Sequence, residues 1–207
     1  MQTYEEQLDA NFDLAMREGS MHFEGSNAVH KTLLRIAHRL DELGIDYAVA
    51  GGMCLFRHGF QRFTRDVDII VTRDGLAQIH EQLEGRGYLK PFAASKNLRD
   101  TDTGVRIDFI IAGQFPGEGK PGPIAFPVPN SVATVIDGVR YVDLVPFIEL
   151  KLASGQASHR AQDVHDVQQL IVARSLPREL AEQIHPSLRD AYLQKWNDAQ
   201  KAAKDEF

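Results

Sequence analysis

Two aspartates, Asp66 and Asp68, alternate with apolar residues in the segment 66–71, which reads DVDIIV. Because side chains on a β-strand point alternately to its two faces, both carboxylates would project from the same face. Two negative charges held that close raise each other's pKa, and a divalent cation commonly compensates them. Carboxylate oxygens are the ligands that Mg²⁺ prefers, and Mn²⁺ accepts them too. The segment therefore predicts a magnesium or manganese site.

Two glycines, Gly51 and Gly52, follow the apolar run 47–50 and precede the aspartates. Glycine lets the backbone approach a ligand closely, and the helix predicted after the pair would begin with free N–H groups that attract phosphate. Metal ligands beside a phosphate site indicate phosphoryl or nucleotidyl transfer. The alternative interpretation is a plain strand-to-helix turn that requires a positive φ angle.

These residues resemble the signature of the nucleotidyltransferase superfamily related to DNA polymerase β. That signature is an apolar residue, Gly, then Gly or Ser, a spacer, and two acids that alternate with apolar residues. In this chain Ala50-Gly51-Gly52 is followed by thirteen residues, 53–65, and then by Asp66 and Asp68. The family pattern has Ser at the second glycine position in many members, so phosphate binding here would depend more on the backbone of Gly52.

The resemblance also requires a third carboxylate on a later strand, and Asp108 in the segment VRIDFII (105–111) has the right alternation. It implies that Asp66, Asp68 and Asp108 bind the metal ions and carry the catalysis. The fold implied is a mixed α/β sheet with flanking helices. The activity implied is Mg²⁺-dependent transfer of a nucleoside monophosphate from an NTP to an acceptor. A protein side chain, a tRNA end and a small antibiotic-like molecule remain open as acceptors.

Arginines lie just before the two acids. Arg65, and less so Arg62, could neutralise phosphate charge, because the guanidinium fork matches phosphate oxygens. Either could instead pair with Asp66 or Asp68 when no metal is bound.

The C-terminal third resembles a subgroup related to abortive-infection toxin nucleotidyltransferases, on the segments PFIELKLA (146–153) and RAQDVHD (160–166). In that subgroup a lysine on the first helix approaches the nucleotide phosphates, and acids on the second helix hold it. Lys151 fits that catalytic and nucleotide-binding role, with Asp163 or Asp166 as its support and Glu149 facing away. Ordinary surface charges are the alternative. The subgroup also raises an antitoxin as a partner.

Two rival functions belong to other classes. The first is a catalytically silent nucleotide-binding protein, or a toxin–antitoxin partner, that keeps the fold. The second is an Asp-x-Asp glycosyltransferase, which the upstream glycines and the third aspartate fit less well.

Composition narrows the class of protein. A chain of 207 residues with 43% hydrophobic and 25% charged residues is typical of a globular domain. No apolar run approaches the roughly 20 residues of a membrane span, and the acidic N-terminus is unlike a signal peptide. The single cysteine, Cys54, predicts a core residue in a reducing compartment, so we predict a cytoplasmic protein without membrane contact. The net charge of −6 argues against a general nucleic-acid binder.

Apolar periodicity predicts the elements that must position these residues. We expect an N-terminal leader helix in residues 1–27, a nucleotidyltransferase core in 28–145 and a helical region in 146–207. Within the core we expect a helix over 28–43 capped by Ser26 or Asn27, strands over 45–50, 66–71 and 105–111, and a helix over 76–85. A loop over 113–130 and a hairpin that turns at Asp137-Gly138 would follow.

Overall fold

The computed structural model describes residues 2–157 and 160–205. A mixed sheet of seven strands forms its centre, with the strand order β3-β4-β5-β2-β1-β7-β6. The strands are β1 (Tyr47–Val49), β2 (Asp66–Val71), β3 (Tyr88–Leu89), β4 (Leu98–Asp100), β5 (Arg106–Ile111), β6 (Ala133–Ile136) and β7 (Val139–Val142). The α/β class is confirmed. The short strands β3 and β4 were not predicted.

The helices are α1 (Tyr4–Ala10), α2 (Phe12–Phe23), α3 (Ala28–Glu42), α4 (Gly51–Arg57), α5 (Arg73–Leu83), α6 (Leu144–Ser154), α7 (Ala161–Arg174) and α8 (Arg189–Asp205). None of them, over the described residues, combines the length and the apolar character that a membrane span requires.

The central strands β2 and β5 run parallel and in register, with Asp66 opposite Arg106 and Asp68 opposite Asp108. Alternate residues of β5 are buried, as are the apolar residues of β2 between and after its aspartates. The buried side chains Val67, Ile69, Ile107 and Phe109 join the core, and the polar ones remain on the opposite face. The alternation that the sequence predicts is confirmed in both strands.

Helix α3 packs its apolar face against the core, as predicted from its periodicity. Val29, Leu33, Ile36 and Leu40 are buried in that core. Asn27 caps the helix, because its side chain accepts a hydrogen bond from the His30 backbone N–H at 3.1 Å. Of the two predicted caps, Asn27 is therefore the correct one.

The β6–β7 hairpin turns at Asp137-Gly138, as predicted. Both residues have positive φ angles, 51° and 79°. Such angles match the twist of a two-residue hairpin, and Asp-Gly tolerates them at low cost. The hairpin extends the sheet beyond β1, because Val49 pairs with Tyr141 of β7.

The N-terminal segment forms two helices, because Asn11 adopts an extended conformation between them and caps α2. Helix α2 continues through Gly19-Ser20 to Phe23. Tyr4 and Leu8 of α1 are buried in the same hydrophobic core as the sheet. Helix α1 is thus packed on the core.

The C-terminal region is helical. Helix α6 begins at Leu144 and contains Pro146 in its first turn, where a missing backbone N–H costs nothing. The segment Arg178–Glu182 is a 3₁₀ helix. Trp196 of α8 is partly buried against the core and donates a hydrogen bond to the Leu176 carbonyl at 3.0 Å.

Candidate active site

Three aspartates from two neighbouring strands meet on one face of the sheet. Asp66 and Asp68 project from β2, and Asp108 projects from β5 beside Asp68. One carboxylate oxygen from each residue lies within 4.8 Å of the others. The parallel register produces this meeting, since it places corresponding residues of the two strands side by side.

Gly51 lies directly against Asp68, at the point where β1 leads into α4. The backbone N–H of Ala50 donates to the Asp68 carbonyl at 2.9 Å. Gly51 has a φ angle of +56°, and a Cβ atom there would lie 1.7 Å from Asp68 Oδ2. A Cβ on Gly52 would meet the Thr64 side chain at 2.7 Å. Both glycines are therefore required by close approach, and Gly51 also by its backbone conformation.

The carboxylate of Asp66 accepts bonds at both oxygens. The hydroxyl of Thr64, a buried residue, donates to Asp66 Oδ1 at 2.8 Å. The guanidinium of Arg106 donates from Nη2 to Asp66 Oδ2 at 3.0 Å. Arg106 Nε also lies 2.9 Å from Asp108 Oδ1, an ion pair without the alignment of a hydrogen bond. Arg106 thus joins two of the three acids.

Mutual repulsion changes the acid–base behaviour of the cluster. Burial, together with the negative charges of Asp66 and Asp108, raises the pKa of Asp68 to about 7. The positive charges of Lys151 and Arg106 oppose that rise. Burial also raises the pKa of Asp108, against the charge of Arg106. The ionised form of Asp68 is thus disfavoured without a cation.

Lys151 is buried on α6 and held by two acids of α7. Its Nζ donates to Asp163 Oδ1 at 2.7 Å and to Asp166 Oδ2 at 2.8 Å. The Ser154 hydroxyl donates to Asp163 Oδ2 at 2.7 Å. Burial opposes ionisation of Asp166, yet Lys151 and Arg62 together keep its pKa below the usual value. Both predicted supports of Lys151 are therefore present, and Glu149 points away, accepting a bond from the His185 N–H at 2.6 Å.

The two arginines before the acids have other partners. Arg62 donates to both oxygens of Asp166 at 3.0 and 3.1 Å. Arg65 lines the cleft, is half exposed, and pairs with Asp9 of α1 at 2.8 Å. The arginine that pairs with the acid cluster is Arg106, so the alternative interpretation, in which Arg62 or Arg65 pairs with Asp66 or Asp68, is not found among the described residues.

A cleft of about 920 Å³ opens over the acids. Its walls include Gly51, Gly52, the three aspartates, Arg106 and Lys151, together with Glu5 of α1. The loop between β5 and β6 closes one side through Phe115 and Phe126. The part of that loop before Pro129 contains no helix or strand, as predicted.

Sequence reasoning missed Arg106 and Thr64. The signal for Arg106 was available, because the alternation that exposes Asp108 also places the residue two positions earlier on the same face. Only the register of β2 with β5 brings Arg106 opposite Asp66, and sequence does not supply that register. Thr64 lies before the strand, where no periodicity applies.

The residues fit a divalent metal ion by the chemistry of their donors. Three carboxylates form the oxygen-rich set that Mg²⁺ or Mn²⁺ prefers. Asp108 Oδ1 is shielded from solvent and has no hydrogen-bond donor among the described residues. An oxygen of this kind is a ready ligand for a cation.

We expect Gly51→Ala to reduce metal affinity and stability beyond the ordinary cost of a positive φ angle. Gly85→Ala is the matched control, since Gly85 has a φ angle of +76° and open space around its missing Cβ. That control should cost about 1–2 kcal/mol, and Gly51→Ala at least about 1–3 kcal/mol more, because Asp68 must move. Urea denaturation and Mn²⁺ titration measure the two effects, and equal losses in both variants would contradict the prediction.

We expect Asp68→Asn to stabilise the metal-free protein increasingly as pH rises from about 4 to about 7. The pKa of Asp68 is about 7 in the folded state, whereas an unfolded aspartate titrates near about 3.9. The folded wild type therefore holds its proton longer and loses stability across that window, and the variant does not. Urea denaturation in a chelator at several pH values measures the difference, and a difference that is constant with pH would contradict it.

Comparison with known proteins supports the assignment of the fold. No protein-family model matches the chain, and no curated protein sequence is similar to it. The solution structure of the antibiotic-resistance factor ANT(2'')-Ia is 14% identical with a TM-score of 0.52, and the match covers 84% of this chain and 96% of that one. The crystal structure of ANT(2'')-Ia in complex with adenylyl-2''-tobramycin is 16% identical with a TM-score of 0.50, covering 82% and 98%.

A candidate nucleotidyltransferase from Thermotoga maritima is 16% identical over 65% of this chain and 89% of that one, with a TM-score of 0.47. The argument rests on the two ANT(2'')-Ia structures, whose similarity at this identity concerns the fold alone. The chain therefore has the fold of the two ANT(2'')-Ia structures.

Proposed function

We propose that the protein transfers a nucleoside monophosphate from a nucleoside triphosphate to an acceptor hydroxyl and releases pyrophosphate. The observation that carries this proposal is the meeting of Asp66, Asp68 and Asp108 within 4.8 Å, in a cleft that Lys151 also lines. In the proposed function, the triphosphate and the acceptor would meet in this cleft, beside the three acids. The toxin-like subgroup and a cytoplasmic location remain predictions.

The three carboxylates would hold two divalent ions, Mg²⁺ or Mn²⁺. Ions bound there supply charge neutralisation at the phosphates and make the acceptor hydroxyl more acidic. Asp108, whose pKa is raised by burial, is suited to accept the proton of that hydroxyl. The new bond joins the acceptor oxygen to the α-phosphorus, and the bond from that phosphorus to the pyrophosphate oxygen breaks.

Lys151 and the two glycines would bind the phosphates. The ammonium group has three N–H donors, and within the described chain two of them go to Asp163 and Asp166. The third is left for a phosphate oxygen. The buried acids fix the position of the ammonium group before substrate arrives, which is how an electrostatic contact contributes to catalysis. Gly51 and Gly52 would add backbone N–H donors to the phosphates. Arg65 would also bind a phosphate once its ion pair with Asp9 is broken.

The acceptor is open among a protein side chain, a tRNA end and a small molecule. ANT(2'')-Ia was crystallised with adenylyl-2''-tobramycin, a small molecule that carries a transferred nucleotide. That finding makes hydroxyl-bearing small molecules the first class to test on this chain.

A second candidate function has its own support in the ion pairs of Arg106. A guanidinium bound to Asp66 and Asp108 could take the place of a metal ion permanently. The protein would then be a catalytically silent nucleotide-binding module, or the partner of an antitoxin. Metal-dependent release of pyrophosphate separates the two candidates.

The function is tested by incubating the protein with each α-labelled NTP and Mg²⁺, in the presence of total RNA, protein or a panel of polyols. We expect labelled product and pyrophosphate for the wild type. Asp108→Asn should lower the rate by at least roughly a hundredfold, because it removes both a metal ligand and the proton acceptor. If the protein binds nucleotide but releases no pyrophosphate with any acceptor and does not label itself, the result would favour the catalytically silent module.

We expect Lys151→Met to lower turnover by more than roughly tenfold, because a preorganised charge contact to the phosphates is lost. The substitution also removes the shared buried cation of Asp163 and Asp166, which can cost up to about 3–5 kcal/mol of stability, although Asp166 keeps its bonds to Arg62 and Asp163 keeps Arg160 at 3.6 Å. Thermal melting and initial rates, measured together, follow both effects.

The double variant Lys151→Met/Asp163→Asn separates them. Removing one buried acid should recover much of the stability and none of the turnover. Recovery of turnover together with stability would assign Lys151 a structural role only.

A further inference from the structure

Arg106 holds a position among the acids that is defined by the sheet. It lies two residues before Asp108 on β5 and directly opposite Asp66 on β2. The four side chains Asp66, Asp68, Arg106 and Asp108 therefore form a square on one face of two paired strands. Three corners of that square are negative and the fourth is positive.

The contacts of Asp66 decide what a metal ion would meet. Both of its oxygens accept a hydrogen bond, one from the Thr64 hydroxyl and the other from Arg106. Thr64 is buried and neutral, so it can keep its bond to a carboxylate that also binds an ion. Arg106 is positively charged, so it would repel the ion, and its side chain is 40% exposed, so it is not enclosed by the protein.

Asp108 meets Arg106 in the same way. Its Oδ1 is shielded from solvent, and its 2.9 Å contact with Arg106 Nε lacks hydrogen-bond alignment. This oxygen therefore forms an ion pair with Arg106 but accepts no hydrogen bond from it. A metal ion could satisfy it better than the guanidinium does.

We propose that Arg106 is an internal counter-ion of the metal-free site, bound to Asp66 and Asp108 until a divalent cation displaces it. This inference rests on the proposed function, because it assumes that the three aspartates bind such an ion. Arg106 is thus a positioning residue. It keeps the acids together when no ion is present, and it is released when the metal binds.

Glu5 provides a second partner for the displaced guanidinium. It projects from α1 into the same cleft, and its charge already acts on Arg106. It is paired with Arg99 at 2.8 Å, so it is held in place without the help of Arg106. Glu5 is therefore a carboxylate of the same cleft that would attract the guanidinium once it leaves the aspartates.

The first experiment titrates Mn²⁺ into the whole protein without nucleotide, followed by calorimetry or by the electron paramagnetic resonance signal of free Mn²⁺. We expect Arg106→Gln to bind Mn²⁺ roughly tenfold more tightly than the wild type, since no ion pairs have to be broken. Arg106→Lys retains the charge without the fork and should fall between the two. Unchanged or weaker binding by Arg106→Gln would overturn the proposal.

Lys96→Gln is the matched control for general electrostatics. Lys96 lines the cleft and its charge acts on Asp108, yet no ion pair joins it to any acid of the described chain. We expect at most a roughly twofold change in Mn²⁺ affinity for this variant, because exposed charges without direct contact are screened. A change equal to that of Arg106→Gln would show that no specific displacement takes place.

A direct readout follows Arg106 itself. Its Nε–Hε signal in a nitrogen-15 NMR spectrum is identified by its loss in Arg106→Gln. We expect Mg²⁺ to shift that signal in the wild type and, to a smaller extent, in Glu5→Gln. Mg²⁺ binding with an unchanged signal would overturn the displacement and leave the proposed function standing. Absence of metal binding in both the wild type and Arg106→Gln would overturn the metal site, and the proposed function with it.

Discussion

The parallel pairing of β2 with β5 determines where the charged groups of the cleft lie. Register places Asp68 beside Asp108 and Asp66 beside Arg106, and both pairs stand on one face because side chains alternate along a strand. The opposite face is buried in the core through Ile69 and Phe109, so a slip of one residue would expose apolar groups and bury acids. The core therefore maintains the arrangement of the site.

Concentrating three acids in one place costs free energy, and the chain offsets that cost from separate regions. Arg106 comes from the strand that also supplies Asp108. Lys151 approaches from α6, where the acids of α7 hold it. Lys151 therefore interacts electrostatically with the acid cluster as well as with the acids of α7. Burial raises the pKa of Asp68, and the charge of Lys151 lowers it. The charge of Lys151 on α6 thus affects the ionisation of an acid on the sheet.

The features that the sequence predicted correctly are those that depend on residues close together in the chain. Strand β2, helix α3 and the Asp137-Gly138 turn depend on periodicity or turn chemistry within a few residues, and they were predicted within about one residue. The two- and three-residue strands β3 and β4 are too short to show a period. The roles of Arg106 and Arg62 depend on which strands and helices become neighbours, and propensity within a segment does not contain that information.

Arg62 and Asp166 are separated by 104 positions in the chain. At a synthesis rate of roughly 5–20 residues per second, roughly 5–20 seconds pass between the appearance of the two residues. During that interval the nascent polypeptide acquires Asp66, Asp68 and Asp108. It still lacks the complete support that fixes Lys151. A ribosome-bound chain therefore carries the three acids and Arg106 before Lys151 and its two supporting acids, and the complete cleft is acquired late in synthesis.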